Sequence, residues 1–405
     1  MKPIEIDLEK EDRYARLRLI PWWDQEKLQQ ARVMVVGAGA IGNEILKNLA
    51  LLGVGTILVV DMDRIENSNL SRAVLYRVTD EGALKAETAA RQVMALNPDV
   101  KAIPMTGNII TDVGNGFFRH VDVVLGGLDN REARLAINQK CWKAGTPWID
   151  GAIEVFQGFA RVFIPPASAC YECTMNETDY RLLNFRKSCS LLTRQEMLSG
   201  KVPTTPTTAS VIAGIQVQEA VKLIHGDPAL RPLSGQGFVF NGLTHDSYTV
   251  TYTRREDCFS HETWEPVTES LLTTTNTTLA QAVKALQQQL TPKTVLETPQ
   301  EWVLTGTCLC GGEKSFYRPL IQVAQEEARC SACGDEMSLE MTHRFTGTEA
   351  FANETLQALG FAPGEILHGR DGLQSVYIEL TGDIQRVFDT PTGFPAGEST
   401  GRKSP

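Results

Sequence analysis

The 405-residue chain lacks three features that would have narrowed its function at once: an excess of basic residues, a long apolar run and an even set of cysteines. Its 39 Lys and Arg are outnumbered by 49 Asp and Glu, for a formal net charge of -10. That balance argues against a nucleic-acid-binding face and favours a protein partner with a basic patch. No stretch of about 18 apolar residues is present, and Met1–Lys10 is acidic with no apolar signal core. We therefore expect a cytoplasmic protein with no membrane segment. Nine cysteines, several in tight C-x-x-C or C-x-C pairs, fit metal binding and thiol chemistry in a reducing compartment better than disulfides. No internal repeat is visible.

What is present is an alternation of strand and helix patterns. Val33–Val36 reads as a strand, followed by a glycine turn and a helix with apolar residues at Ile41, Ile45, Leu49 and Leu52. Ile57–Val60 reads as the next strand, ending at Asp61; a helix over 84–96 and a strand over 121–126 continue the series. Two adjacent strands, 148–153 and 158–164, precede a polar stretch at 174–206 and an apolar helix over 209–225 that Thr208 or Ser210 would cap. Strands near 237–241 and 247–253 follow. This order predicts an α/β, Rossmann-like, mostly parallel sheet with helices on both faces. The expected domains are 1–264, then 265–340 as a small α/β segment with a zinc ribbon, 341–388 as a small C-terminal module, and a disordered tail at 389–405.

Gly37, Gly39 and Gly42 form G-x-G-x-x-G, a turn suited to close approach of a phosphate at a helix N-terminus. With Asp61 placed for ribose hydroxyls, this alone reads as a dinucleotide site of a dehydrogenase. Three clusters shift the reading to ATP. Ser68-Asn69-Leu70-Ser71-Arg72 follows the second strand, Lys85 opens the next helix, and Asp129-Asn130-Arg131 leaves the strand ending near Gly126. Arg72 and Lys85 can neutralise a triphosphate, and Asp129 can hold Mg2+ with the phosphates. A nicotinamide site needs no such carboxylate.

The run GAGAIGNEILKNLALLGVGTILVVDMDRIENSNLSR, then Lys85, then LDNREAR resembles the adenylation domain of the ubiquitin-activating (ThiF/MoeB/HesA) superfamily over residues 13–225. It looks nearest to the prokaryotic activating enzymes for ubiquitin-like proteins. The resemblance implies that Gly37, Gly39, Ala40, Ile41 and Gly42 cradle ATP beside Asp61, Asp63 and Asn130. Asn69, Arg72 and Lys85 would hold phosphates, Asp129 would bind Mg2+, and Arg134 would belong to the same motif. Ala40 stands where the family usually has glycine, a mild change. Arg13-Tyr14-Ala15-Arg16 resembles a motif whose second arginine reaches the partner subunit's nucleotide, implying a homodimer with Arg16 acting in trans; surface salt bridges are the other reading of these arginines.

Cys170 and Cys173 have zinc-knuckle spacing, and Cys258-Phe-Ser-His261 stands where the superfamily often completes that site, giving an expected Cys3His centre. His261 as a bystander is the alternative. Cys308 and Cys310 with Cys330 and Cys333 read as a zinc ribbon, for two structural Zn2+ in all. A competing pairing joins Cys170 and Cys173 to Cys330 and Cys333. Cys141 lies in an apolar helical pattern and reads as a buried structural thiol. Cys189, beside Arg186 and Lys187 in the crossover stretch, occupies the position where ubiquitin-activating enzymes carry their thioester-forming cysteine; the alternative is an unpaired surface thiol. The expected activity is adenylation of a ubiquitin-like protein's free C-terminal carboxylate, thioester formation on Cys189 and transfer to a conjugating enzyme. The rivals are a sulfur-carrier adenylyltransferase without the thioester, a non-catalytic scaffold and, distantly, a dehydrogenase.

Overall fold

A computed structural model describes residues 12–181 and 203–390. The first sheet has eight strands: β1 (Arg32–Val36), β2 (Thr56–Asp61), β3 (Lys101–Thr106), β4 (Val123–Gly126), β5 (Trp148–Glu154), β6 (Gln157–Phe163), β7 (Gln236–Asn241) and β8 (Asp246–Thr251). Their order is β3-β2-β1-β4-β5-β6-β7-β8. The first five are parallel, and β6, β7 and β8 add in antiparallel fashion. This is the expected mostly parallel α/β sheet. The parallel strands are nearly continuous Val, Ile, Leu and Met because both faces are covered.

Helix α1 (Gln25–Gln30) precedes β1, and helices α2 (Ala40–Leu52) and α3 (Lys85–Leu96) cover one face together with the long helix Pro206–His225. Helices α4 (Gly116–Arg119) and α5 (Arg131–Ala144) cover the other. The long helix starts three residues before the expected 209, and its cap is neither Thr208 nor Ser210. Thr205 is its N-cap, accepting from the Thr208 amide at 3.3 Å, and Pro206 fills the first helical position, where its missing N–H costs nothing. Among the described residues no helix is long and apolar enough to cross a membrane.

The C-terminal region builds a second sheet from β9 (Val267–Ser270), β10 (Val295–Thr307), β11 (Glu313–Pro319), β12 (Ser338–Phe345), β13 (Ile366–Asp371) and β14 (Gln374–Leu380). The order is β11-β10-β13-β14-β9, with β12 also on β10. The boundary expected at residue 340 falls inside β12, and apolar residues from Leu279 to Leu380 share one core. Nor does the first unit end at 264. The C-terminal helix Thr381–Asp389 places Ile384 and Val387 in the core beneath β1, β4 and α5.

A buried carboxylate joins the two sheets. Glu379, at the end of β14, accepts from Arg119 Nη1 and pairs with His120 Nε2, each at 2.8 Å, and from Thr381 Oγ1 at 2.9 Å. Burial pushes Glu379 up, but His120 and Arg119 outweigh it and hold the acid below the ordinary glutamate value. Backbone bonds run alongside: Gly114 donates to Pro363 and Gly116 to Gly364.

Candidate active site

Strand order reverses beside β1, so the loops leaving β1 and β4 diverge at the sheet's C-terminal edge and open a crevice there. The β1 loop is tightly built. Gly37 has φ +90°, and a Cβ on it would lie 2.6 Å from the Gly127 carbonyl oxygen; one on Gly42 would lie 1.8 Å from that of Gly37. Both glycines are demanded by the chain's own packing. Gly39 differs: a Cβ there would meet nothing within 4 Å. Its face is open, and Gly39 is the N-cap of α2, with no side chain capping the first amides. A glycine cradle at an uncapped helix start suits an anion.

Groups absent from the sequence reading hold this loop. Asn43 is fully buried on α2; its Nδ2 donates to the carbonyls of Ala38 (2.7 Å) and Gly39 (3.1 Å), and its Oδ1 accepts from the Leu75 amide. The Tyr76 hydroxyl donates to the Ala38 carbonyl at 2.7 Å and lies 3.3 Å from that of Lys85. Gln216, on the long helix, donates to the carbonyls of Gly126 at the end of β4 and Ile149 near the start of β5, while its Oε1 is buried with no partner among the described residues. A polar residue interrupting the apolar face of α2 or of the long helix was the available signal for Asn43 and Gln216.

Asp61 ends β2 as expected. One oxygen accepts from the Ala38 amide (2.7 Å) and the other from the Asp63 amide (2.8 Å). Burial pushes its pKa above the usual carboxylate value, against the pull of Lys85 and those amides. Lys85 opens α3 with Nζ 2.9 Å from Asp63 Oδ2. Arg72 donates to the Ser68 carbonyl at 2.6 Å, and Asn69 Oδ1 accepts from the Glu66 amide, closing the turn over 67–69. Asp129 is exposed on the β4 loop. Arg16 is exposed just before the short turn Leu17–Leu19, and Cys189 lies outside the described residues.

Two of the expected nucleotide contacts are engaged within the fold. Asn130 caps α5, its Oδ1 accepting from the Ala133 amide at 2.8 Å. Arg134 is buried: its Nε donates to Asp150 Oδ1 at 2.8 Å, and its Nη2 to the carbonyls of Leu128 and Gly151. Asp150 also accepts from Arg161. Burial pushes Asp150 up, but Arg134 and Arg161 together hold it below the ordinary range. Arg134 thus acts on the loop carrying Asp129 from beneath.

Both expected cysteine clusters assemble, which excludes the cross-pairing of Cys170 and Cys173 with Cys330 and Cys333. Cys170 Sγ lies 3.7 Å from Cys173 Sγ and 3.5 Å from Cys258 Sγ, and Cys173 Sγ lies 3.4 Å from His261 Nε2. A tetrahedral ion with bonds of about 2.3 Å requires sulfurs about 3.8 Å apart, so the donors fit zinc. The His261 ring stacks on Trp142 at 4.0 Å, which fixes Nε2 toward the sulfurs. The neighbouring Cys258 thiol and the Cys173 amide draw Cys170 down to about 5 despite burial. Cys308 Sγ lies 3.4 Å from Cys333 Sγ, and Cys310 Sγ 3.5 Å from Cys330 Sγ. Cys141 is buried, and burial drives its thiol well up, as a structural cysteine requires.

The family model described as "ThiF family" matches residues 11–260. The chain is 32% identical over 264 residues to the "SAMP-activating enzyme E1" of Haloferax volcanii, covering 63% of this chain and 90% of that one. It is 31% identical over 258 residues to the "Sulfur carrier protein adenylyltransferase" of Thermus thermophilus, covering 62% and 90%. It is 42% identical over 160 residues to the "Nedd8-activating enzyme E1 catalytic subunit" of Drosophila melanogaster, covering only 36% and 35%. Among solved structures, E. coli MccB with ATP aligns at TM-score 0.53 and 24% identity over 64% of this chain and 77% of that one, a likeness of fold.

Proposed function

Because the chain belongs to the ThiF family, we propose that it adenylates the C-terminal carboxylate of a ubiquitin-like or sulfur-carrier protein. The observation that carries this is the open Gly39 cradle at the uncapped start of α2, with Asp61 fixed beside it by two amides. Triphosphate lies along the first turn of α2, and Asp61 takes the ribose hydroxyls. Lys85 exchanges Asp63 for phosphate oxygens, joined by Asn69, by Arg72 and, from a second copy in a homodimer, by Arg16. Asp129 would hold Mg2+ with the phosphates, and the ion would neutralise charge there. The carrier carboxylate attacks the α-phosphorus, the bond to the bridging oxygen breaks, and pyrophosphate leaves. Fixed cations and amides facing that phosphate favour the charge that develops. Zinc at Cys170, Cys173, Cys258 and His261 would tie the segment after β6 to the one after β8.

The finer reading is a thioester relay. The Cys189 thiolate attacks the carbonyl carbon of the acyl-adenylate, AMP departs, and the acyl group passes to a conjugating enzyme. The second reading, sulfur-carrier activation without the relay, is favoured by the Thermus thermophilus relative, which matches nearly as much of the chain as the Haloferax volcanii one. ATP–pyrophosphate exchange with candidate carriers, followed by non-reducing gels of wild type and Cys189→Ala, separates the two. Carrier-dependent exchange with a thiol-sensitive adduct lost in Cys189→Ala supports the relay. Exchange with no such adduct rejects the relay and leaves the sulfur-carrier reading; no exchange with any carrier rejects adenylation itself.

A further inference from the structure

The second cysteine cluster lies beyond the ThiF match, in the lobe where the distal half of β10 pairs with β11 and β12. We propose that Cys308, Cys310, Cys330 and Cys333 bind one Zn2+, and that this ion, in place of an apolar core, folds that lobe. The four sulfurs lie within 4.8 Å of one another, with closest pairs at 3.4 and 3.5 Å, close to the spacing a tetrahedral thiolate site requires.

The backbone is shaped around the sulfurs. Gly311 donates to the Cys308 carbonyl and Cys308 to that of Gly312, each at 2.9 Å; Gly334 donates to Cys330 and Cys330 to Asp335, each at 2.8 Å. Gly311 and Gly334 have φ of +89° and +79°, as these tight knuckles demand. A Cβ on Gly312 would lie 2.8 Å from Cys330 Sγ, so the glycine is what admits the cluster. Amides of Gly312, Ala332, Cys333 and Asp335 point at the sulfurs of Cys310, Cys330 and Cys333, the donors a metal-bound thiolate accepts.

The packing supplies the second half of the inference. Beneath the knuckles only Val303, Val323 and Ala328 form a buried cluster, edged by the half-buried Phe316, Leu320 and Leu339. The adjoining core, shared by the rest of that sheet, the helix Leu279–Gln289 and the segment 351–361, has fourteen buried apolar residues. A lobe with so small a core needs a cross-link. The lobe also stands apart from the contact with the first sheet, which runs through Glu365 and Glu379 at β13 and β14. Two of its ligands, Cys310 and Cys333, are exposed, unlike the buried Cys170 and Cys258.

The test uses the full-length protein, with zinc counted by elemental analysis, ligands read by zinc X-ray absorption, and lobe order read by trypsin cleavage after Lys314, Arg318 and Arg329. We expect two zinc ions per chain sharing seven sulfurs and one nitrogen, four sulfurs from the lobe and three with His261 from the other site. In Cys310→Ser/Cys333→Ser we expect one zinc, with three sulfurs and one nitrogen, and rapid cleavage confined to the lobe. A wild type with one zinc per chain, or with iron in the lobe, overturns the site. A one-zinc variant whose lobe resists trypsin like the wild type overturns the folding role. If the variant fails to fold, the wild-type zinc count and sulfur number still decide. None of these readouts depends on adenylation.

Discussion

Replacing Arg134 with methionine decides whether this arginine serves the nucleotide or the framework beneath it. The side chain is buried and makes a charged bond to Asp150 at 2.8 Å, one to the Gly151 carbonyl at 3.2 Å and another to the Leu128 carbonyl. Hydrogen bonds to charged groups contribute about 1.5–3 kcal/mol each, and breaking a buried pair costs about 3–5 kcal/mol when one charge is orphaned. Asp150 keeps Arg161, so its charge is still met, and methionine fills most of the volume. The loss should therefore sit at the lower end, about 3 kcal/mol. In a unit of this size each kcal/mol moves Tm by about 2–4 °C, so scanning calorimetry should show a fall of about 6–12 °C. ATP affinity falls as a secondary effect, since the Leu128 carbonyl is released and Asp129 loses its support. Asp129→Asn is the control: it should leave Tm within about 1 °C, because the residue is exposed, while weakening Mg-ATP binding. Weaker ATP binding by Arg134→Met at an unchanged Tm would refute the framework role and put the guanidinium on the nucleotide.

Three other predictions follow from the same geometry. Gly42→Ala places a Cβ 1.8 Å from the Gly37 oxygen, so the loop must move; ATP binding measured by calorimetry should be lost, with destabilisation of about 1–3 kcal/mol. Asp63→Asn removes the carboxylate paired with Lys85, so if Lys85 serves the phosphates the apparent KM for ATP falls; an increase contradicts that role. Glu379 has a lowered folded-state value, so its stabilisation is present above the ordinary 4.5 and is lost as pH falls through the lowered value. Urea midpoints taken from pH 6 down to pH 3 should drop steeply for wild type and more gently for Glu379→Gln; parallel curves exclude this residue as the acid-sensitive link.

The nucleotide side of the fold was legible because its determinants are local. The β1 valines, the glycine turn and the apolar spacing of α2 are contiguous, and Asp61 follows from the end of a strand. The cysteine clusters were legible because knuckle spacing is short even when the halves are 88 residues apart, as Cys170 and Cys258 are. The partners of Arg134 and Asn130 were not legible, because a motif fixes neighbours in sequence but not which way a side chain points; one turns to Asp150, the other to its own helix. Thr205 was missed because the threonine run offers several caps, and Pro206 decides among them. The second sheet was mostly illegible, since β10 is long, polar and interrupted by Pro299, and its partners come from up to 75 residues later. Nothing local to Glu379 announces a bond to Arg119, 260 residues away.

The C-terminal helix has a consequence for how the chain is made. Ile384 and Val387 complete the packing beneath β1, β4 and α5, elements finished some 240 residues before them. During synthesis the nucleotide-binding sheet must therefore wait, one apolar face incompletely covered, until almost the last described residue leaves the ribosome. A ribosome stalled past residue 264 would hold a sheet with its crevice formed and that face covered by α4 and α5 but lacking Ile384 and Val387, a natural client for chaperones. The order of translation, more than the adenylation site, then sets when this protein is safe from aggregation.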